Sequence, residues 1–212
     1  MVDGPQPAGM TDGRTRRKRN YSSWAQWQLQ LDALRMEHPL PEDPSAISAW
    51  RARARGRFTD LVGPLPKAVW PELEVLDVVD CGSYRREHVV FDSEATMSVP
   101  AYMLVPSDRK APGPAVLVLH GHGPGKSEVA GLDDPEARAA VEEHNGDYAH
   151  QLARQGYLVL APDLRGFGER ADPLLEATRY HCDLNLVHSV MAGVSPLTAN
   201  LHDLTIALDV LE

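Results

Sequence analysis

The pattern of apolar and polar positions divides the chain into a helical first part and a second part that mixes strands with helices. Within residues 21–66, apolar side chains recur every three or four positions, as on one face of an α-helix. The first predicted helix opens with a capping box at Ser23 and Gln26, and its two tryptophans are expected in a core. The second predicted helix begins at Asp43, which is followed by Pro44, and ends at a Gly-Pro pair.

Beyond residue 70 the pattern changes to that of strands. The segments LEVLDVV, HVVF and SVPAYMLVP are short and rich in β-branched or aromatic residues, which predicts an antiparallel set. PAVLVL (114–119) and YLVLAPD (157–163) are continuous apolar runs, typical of strands buried on both faces. A helix is predicted between them, from Asp134 to about Gly156. This strand–helix–strand order predicts parallel pairing with a right-handed crossover.

The last part of the chain is predicted to be irregular or weakly helical over 171–197 and then helical from about Asn200. Four leucines are expected on one face of that last helix: Leu201, Leu204, Leu208 and Leu211. The predicted organisation is a disordered basic leader (1–20), an N-terminal helical segment (21–66) and an incomplete α/β domain (67–212).

Composition and charge narrow the classes of partner. The 212 residues are 43% hydrophobic and 24% charged, as in an ordinary globular protein. Residues 1–20 hold five basic and two acidic residues and so carry a net charge of +3. Because the whole chain has a net charge of −9, residues 21–212 carry −12. A negative body argues against a nucleic-acid surface. No apolar run approaches the roughly 20 residues of a membrane helix, and no signal-peptide core is evident, so we expect a cytoplasmic protein without a membrane partner.

The stretch VLVLHGHGPGKSE (116–128) holds the densest candidate chemistry, and a phosphate-binding loop is the first interpretation to weigh. Such a loop follows G-x-x-x-x-G-K-S/T, and the first glycine would fall at His120. Its helix should also begin at Lys126, whereas the helix signal comes about eight residues later, at Asp134. Both points disfavour phosphate binding.

A metal centre is the second interpretation of the same stretch. His120 and His122 alternate at a predicted strand end, and Asp163 closes the neighbouring strand. Zinc needs at least three protein ligands, so two imidazoles alone do not make a site. A metal-dependent hydrolase that uses His120 and His122 stays open as an alternative.

An oxyanion-binding turn is the third interpretation. Backbone N–H groups just after a central strand stabilise the negative oxygen that develops in acyl transfer. Gly121 and Gly123 are expected to permit a sharp turn and close approach of substrate, which would present the amide of His122.

Taken together, VLVLHGHG, a helix and GYLVLAPDLRGFGER resemble the α/β-hydrolase fold, and more narrowly its branch of dienelactone hydrolases and acetyl xylan esterases. The HCDLN stretch (181–185) and the last helix are similar to the approach to the nucleophile strand in that branch. The resemblance covers roughly residues 70–212. It implies the N-terminal half of an α/β-hydrolase fold, a mostly parallel sheet flanked by helices, with an N-terminal helical extension.

What the resemblance implies for chemistry is a carboxylic ester hydrolase acting on small or carbohydrate-linked acyl esters, without cofactor or metal. The backbone N–H of His122 would form half of the oxyanion hole. Gly121, Gly123 and Lys126 would line or edge the pocket of a small-molecule ester, with a solvated surface lysine equally open for Lys126. The residues expected only to shape the turn after the second buried strand are Asp163, Arg165, Gly166 and Gly168.

The nucleophile is the main departure from the family pattern. The nucleophile elbow G-x-S-x-G does not occur in these 212 residues, and the triad residues that follow it in this fold are missing with it. We therefore expect the N-terminal portion of a hydrolase, inactive by itself. The alternative from another class is a non-catalytic interaction protein built on a hydrolase-like half-domain.

Overall fold

The computed structural model describes residues 19–109, 112–131, 145–172 and 181–212. The chain divides into two compact units, Met1–Gly56 and Arg57–Glu212.

The first unit contains helix α1, Ser23–Ala33. Its cap is Ser22, whose hydroxyl oxygen accepts from the amide of Ala25 at 3.1 Å, so the predicted cap at Ser23 was one residue late. Trp24 and Trp27 are 72% and 59% exposed, contrary to the expected core position. Helical spacing of apolar residues shows that a helix has an apolar face, but it does not show what covers that face.

A second helical segment starts as predicted at Asp43. The Asp43 carboxylate accepts from the amide of Ser45 at 2.9 Å, at the start of a 3₁₀ turn, Pro44–Ala46. Hydrogen bonds from the side chain and the backbone of Ser45 lower the pKa of Asp43. The turn continues into helix α2, Ile47–Val62. A left-handed Gly63, at φ +75°, follows the helix and confirms the predicted stop.

The second unit is built on a five-stranded mixed sheet with the order β1-β2-β3-β5-β4. The strands are β1 (Glu74–Asp80), β2 (Tyr84–Glu94), β3 (Met97–Pro106), β4 (Ala115–Leu117) and β5 (Leu158–Pro162). β1, β2 and β3 pair antiparallel, as predicted. β3 also pairs antiparallel with β5, and β4 pairs parallel with β5, which confirms the predicted parallel pair.

The two apolar runs differ in burial. In β5 the residues from Val159 to Pro162 are buried, as predicted. In β4, Ala115 is exposed and Val116 and Leu117 are only partly buried. The prediction that this strand is buried on both faces is therefore wrong. Among the described strands β4 pairs with β5 alone, which explains the difference.

Helices flank the sheet. They are α3 (Lys126–Val129), α4 (Tyr148–Arg154), α5 (His181–Met191) and α6 (Pro196–Leu211). Ile206 and Ala207 of α6 belong to one apolar cluster with Phe91 and Leu160 of the sheet. A second cluster joins side chains of α3 and α4 to other sheet residues: Val129, Ala149, Ala153, Leu104 and Val159. The predicted α/β class is confirmed.

Two helix predictions need correction. α6 begins at Pro196, not near Asn200, with Ser195 as its cap accepting from the Leu197 amide at 3.2 Å. The four leucines expected on one face are not its buried residues: Leu201, Leu204 and Leu211 are partly buried, and Leu208 is 50% exposed. The buried residues are Thr198, Ala199, His202, Asp203, Ile206 and Ala207. The helix start predicted at Asp134 lies outside the described residues.

Within the described residues, no helix combines the length and the apolar character needed to cross a membrane.

Candidate active site

The site lies where the loops that follow β4 and β5 meet. Parallel neighbours end at the same edge of a sheet, so these two loops lie side by side. His120 joins them: its Nε2 accepts from the Leu164 amide at 3.0 Å, and its Nδ1 lies 2.7 Å from the carbonyl oxygen of Gly121. Because Nε2 accepts, the neutral ring carries its proton on Nδ1 and donates it to that carbonyl.

These contacts assign both nitrogens of His120 to backbone partners. A metal ligand would need one of them free, so the structure disfavours His120 as a ligand in the metal alternative. In the described part of the chain, no three His, Cys, Asp or Glu side chains are grouped so that they could hold a metal ion.

Asp163 is the buried anchor of the site. Its carboxylate accepts from the backbone amides of Lys126 at 2.7 Å and Glu169 at 3.0 Å, and from the Lys126 ammonium at 2.6 Å. The same ammonium also pairs with Glu169. One carboxylate thus fixes the start of α3 and the loop after β5 together.

Lys126 occupies neither of the two positions expected from the sequence, the edge of the pocket or the solvated surface. Its side chain is 3% exposed and its charge is directed into the pair with Asp163. Lys126 is not among the described residues that line the adjacent cavity. It also opens the one-turn helix α3, for which the sequence pattern gives no signal.

The two glycines expected in the turn after β4 are not left-handed, whereas Gly168, expected to shape the turn after β5, is. Neither Gly121 nor Gly123 has a positive φ, whereas Gly125 and Gly168 have φ +91° and +54°. A Cβ at Gly125 would lie 2.4 Å from an Asp163 carboxylate oxygen, and one at Gly168 would lie 2.2 Å from it. The sharp turn and the close approach therefore serve the buried Asp163 carboxylate.

His122 faces a cavity of about 430 Å³. The cavity is lined by His122, Gly123, Pro124, Gly166, Phe167, Gly168, Ala171 and Cys182. The Phe167 ring meets the His120 and His122 rings edge-on, both at 5.3 Å between centroids. Within the described residues the backbone amide of His122 donates to no protein acceptor. Gly121 has open space where a side chain would be.

The imidazole of His122 has a partner that the sequence did not suggest. Its Nε2 lies 3.0 Å from the Sγ of Cys182, in the first turn of α5. The two residues are 60 positions apart, and no spacing rule connects them. The HCDLN stretch (181–185) contains Cys182, but its resemblance to the segment before a nucleophile strand predicts no contact with His122.

A second cavity, of about 540 Å³, lies on the other side of Gly166. Beside it, the Arg165 guanidinium donates from Nε and Nη2 to the two carboxylate oxygens of Asp203, both at 2.8 Å. Arg170 Nη1 lies 2.9 Å from the same carboxylate, and Ser93 donates to it at 2.6 Å. Arg165 also pairs with Glu94. This network ties α6 to β2 and to the loop after β5.

The network shifts three pKa values. Burial alone would raise the pKa of Asp203, but the hydrogen bond from Arg165 and the charge of Arg170 outweigh it and lower that pKa. Burial lowers the pKa of Arg170, partly offset by Asp203. Burial also acts to lower the pKa of Arg165, but Asp203 and Glu94 raise it overall. The lowered pKa of Asp203 and the raised pKa of Arg165 both favour the charged form of the group.

The described sheet, with a glycine turn after β4, a parallel pair β4–β5 and an antiparallel extension on one side, matches an α/β-hydrolase-like fold. The fold is similar to that in the crystal structure of a "putative acetyl xylan esterase" from Bacteroides fragilis NCTC 9343. The TM-score is 0.74 at 20% sequence identity, over 92% of this chain and 52% of that one.

The chain belongs to the Abhydrolase family, whose sequence model matches residues 17–193. It is also 32% identical over 125 residues to "Putative hydrolase YtaP" of Bacillus subtilis (strain 168), which covers 57% of this chain and 39% of that protein. The resemblance to α/β-hydrolases is confirmed. The chain spans about half the length of its structural neighbour and less than half that of its curated relative.

Proposed function

We propose that this chain forms the N-terminal portion of a carboxylic ester hydrolase, in which the backbone N–H of His122 binds the oxyanion. The observation that carries the proposal is the His122 amide, which has no acceptor among the described residues and belongs to a residue that lines a cavity at the end of β4. A preorganised N–H of this kind stabilises the charge that develops on a carbonyl oxygen under attack.

The expected substrates are small or carbohydrate-linked acyl esters. The name of the similar Bacteroides protein, "putative acetyl xylan esterase", supports this class, as does the resemblance of the glycine segments to the dienelactone hydrolase and acetyl xylan esterase branch. The cavity of about 430 Å³ beside His122 has room for a small acyl group.

The nucleophile is expected in a segment beyond these 212 residues. An elbow G-x-S-x-G would place a serine hydroxyl opposite the His122 amide, and a histidine later in the chain would move its proton. The chain spans 39% and 52% of the two similar proteins. This partial coverage supports an oxyanion-binding amide within these 212 residues and a nucleophile in a later segment. By itself the 212-residue chain is expected to show no turnover of esters.

The test compares two substitutions of one residue in the longer protein encoded by the source gene, with 4-nitrophenyl acetate as substrate. His122→Pro removes the backbone N–H, and His122→Ala removes the imidazole but keeps the N–H. We expect His122→Pro to lower kcat by about 10² to 10³, as the loss of an oxyanion donor does, and His122→Ala to lower it much less.

Equal losses in the two variants would contradict the oxyanion role. Serine-dependent turnover by the 212-residue chain alone would contradict the division of the machinery. A reading frame that closes directly after codon 212 would favour the alternative, an interaction protein built on a hydrolase-like half-domain.

A further inference from the structure

Cys182 and His122 form a thiol–imidazole pair at the mouth of the smaller cavity. The Sγ of Cys182 lies 3.0 Å from Nε2 of His122, within reach of proton transfer. Cys182 is partly exposed and lines the cavity together with His122 and Phe167. A nucleophile within hydrogen-bond reach of a base is the arrangement that activates thiols in proteins.

The other cysteine of the chain shows what an ordinary thiol looks like here. Cys81 is also free and partly exposed, and its Sγ lies 3.8 Å from the carbonyl oxygen of Val79. A carbonyl oxygen can accept a weak hydrogen bond from the thiol but does not remove its proton. Cys182 thus has a basic neighbour that Cys81 lacks among the described residues, although the Asp183 carboxylate also lies 3.8 Å from the Cys182 Sγ.

We propose that Cys182 is a reactive thiol, modified covalently by small uncharged electrophiles that enter this cavity, with His122 as the proton acceptor. The class of electrophile follows from the lining. Apart from the pair itself, the described lining residues are glycines, Pro124, Phe167 and Ala171, and none of these has a charged side chain. This site does not depend on ester hydrolysis by the protein.

The modification is a simple displacement, for which iodoacetamide is the probe. The thiol proton passes to Nε2 of His122, and the sulfur attacks the methylene carbon. A carbon–sulfur bond forms as the carbon–iodine bond breaks, and iodide leaves with that electron pair. The imidazolium then returns its proton to solvent.

The test is competitive labelling of the intact 212-residue chain with iodoacetamide at pH 7, followed by mass spectrometry of the peptides that contain Cys81 and Cys182. We expect Cys182 to react at least about tenfold faster than Cys81, because His122 lies where it can take the thiol proton as the sulfur attacks. His122→Gln is expected to reduce this ratio to within about twofold, since an amide cannot take the proton.

His188→Gln is the matched control, because it makes the same change at an exposed histidine of α5 that lines the other cavity. It should leave the ratio unchanged. In 6 M guanidinium chloride the wild-type ratio should fall to about one, and this comparison holds even if a variant fails to fold. Equal rates for the two cysteines in the native chain, or a ratio that survives both His122→Gln and denaturant, would overturn the proposal.

Discussion

Gly125 and Gly156 have nearly the same backbone φ, +91° and +94°, but different surroundings. A Cβ at Gly156 would meet nothing within 4 Å, whereas one at Gly125 would lie 2.4 Å from an Asp163 oxygen and 2.8 Å from Gly168 Cα. Neither neighbour can yield easily, because Asp163 is held by several hydrogen bonds and the other is backbone.

Gly156→Ala should therefore lower the free energy of unfolding by about 1–2 kcal/mol, which is the cost of placing an alanine in the left-handed conformation. Gly125→Ala should cost a further 1–3 kcal/mol or so, because its ψ of −151° lies in a region that essentially only glycine adopts and because the Cβ would overlap the carboxylate. Urea unfolding of both variants measures the difference. Equal losses would contradict both causes.

Lys126 lies at the centre of the site as a buried countercharge. Lys126→Met would leave the buried Asp163 carboxylate with backbone donors only, and the loss of one partner of a buried pair costs about 3–5 kcal/mol. Lys67→Met, at an exposed lysine, should stay within about 0.5 kcal/mol of wild type by the same urea measurement. Unchanged stability for Lys126→Met, with a raised KM in the longer protein, would instead support the pocket-edge role that the sequence suggested.

At the scale of elements, Asp203 links helix α6 to β2 and to the loop after β5. Its pKa is lower in the folded chain than in an unfolded one, because Arg165 and Arg170 outweigh its burial. Its contribution to stability is therefore fully present above the unfolded pKa, about 4, and is lost as the pH falls through the folded value.

Asp203→Asn removes this titration. Between pH 6 and pH 3 the variant should lose less unfolding free energy than wild type, as measured by urea titration at each pH. Asp209→Asn, an exposed change on the same helix, is the control and should follow the wild-type curve. An equal acid loss in wild type and Asp203→Asn would show that the network does not stabilise the charged carboxylate.

The elements that the sequence predicted well carry local signals. Asp43 and Pro44 mark a helix start because the Asp43 side chain caps the Ser45 amide two residues later. The alternation of apolar and polar residues in the strand segments can likewise be read from one segment, without knowing which strand pairs with it. The start of α6 carried the same kind of signal in Ser195 and Pro196, but the leucine pattern drew the prediction to Asn200. The buried side of α6 meets both the polar network, through Asp203, and the apolar cluster of the sheet, through Ile206 and Ala207.

The contacts that make the site are long-range, which limits what a sequence can predict of it. The glycine turn and the Asp163 segment were found through their motif. Asp163 binds Lys126, which lies 37 positions away along the chain. His122 contacts Cys182, which lies 60 positions away. The one-turn helix α3 forms around the carboxylate of Asp163, so no local propensity predicts it.

At the scale of the whole molecule, the open side of β4 is the feature that the proposed function must account for. Among the described strands β4 pairs with β5 alone, and the amide of Val118 donates to Leu160 at 2.9 Å. Because amides alternate in direction along a strand, the amide of Leu117 points away from β5. An edge of this kind is a template for a further strand.

If the longer protein continues the sheet at β4, its next strand should accept the Leu117 amide. Hydrogen exchange should then be fast at Leu117 in the 212-residue chain and slower by about 100-fold or more in the longer protein. The Val118 amide, already bonded to β5, is the internal control and should be protected in both. A Leu117 amide that exchanges equally fast in both proteins would contradict a continuation at β4. Protection in the short chain that disappears on dilution would instead place a second copy of the chain on this edge.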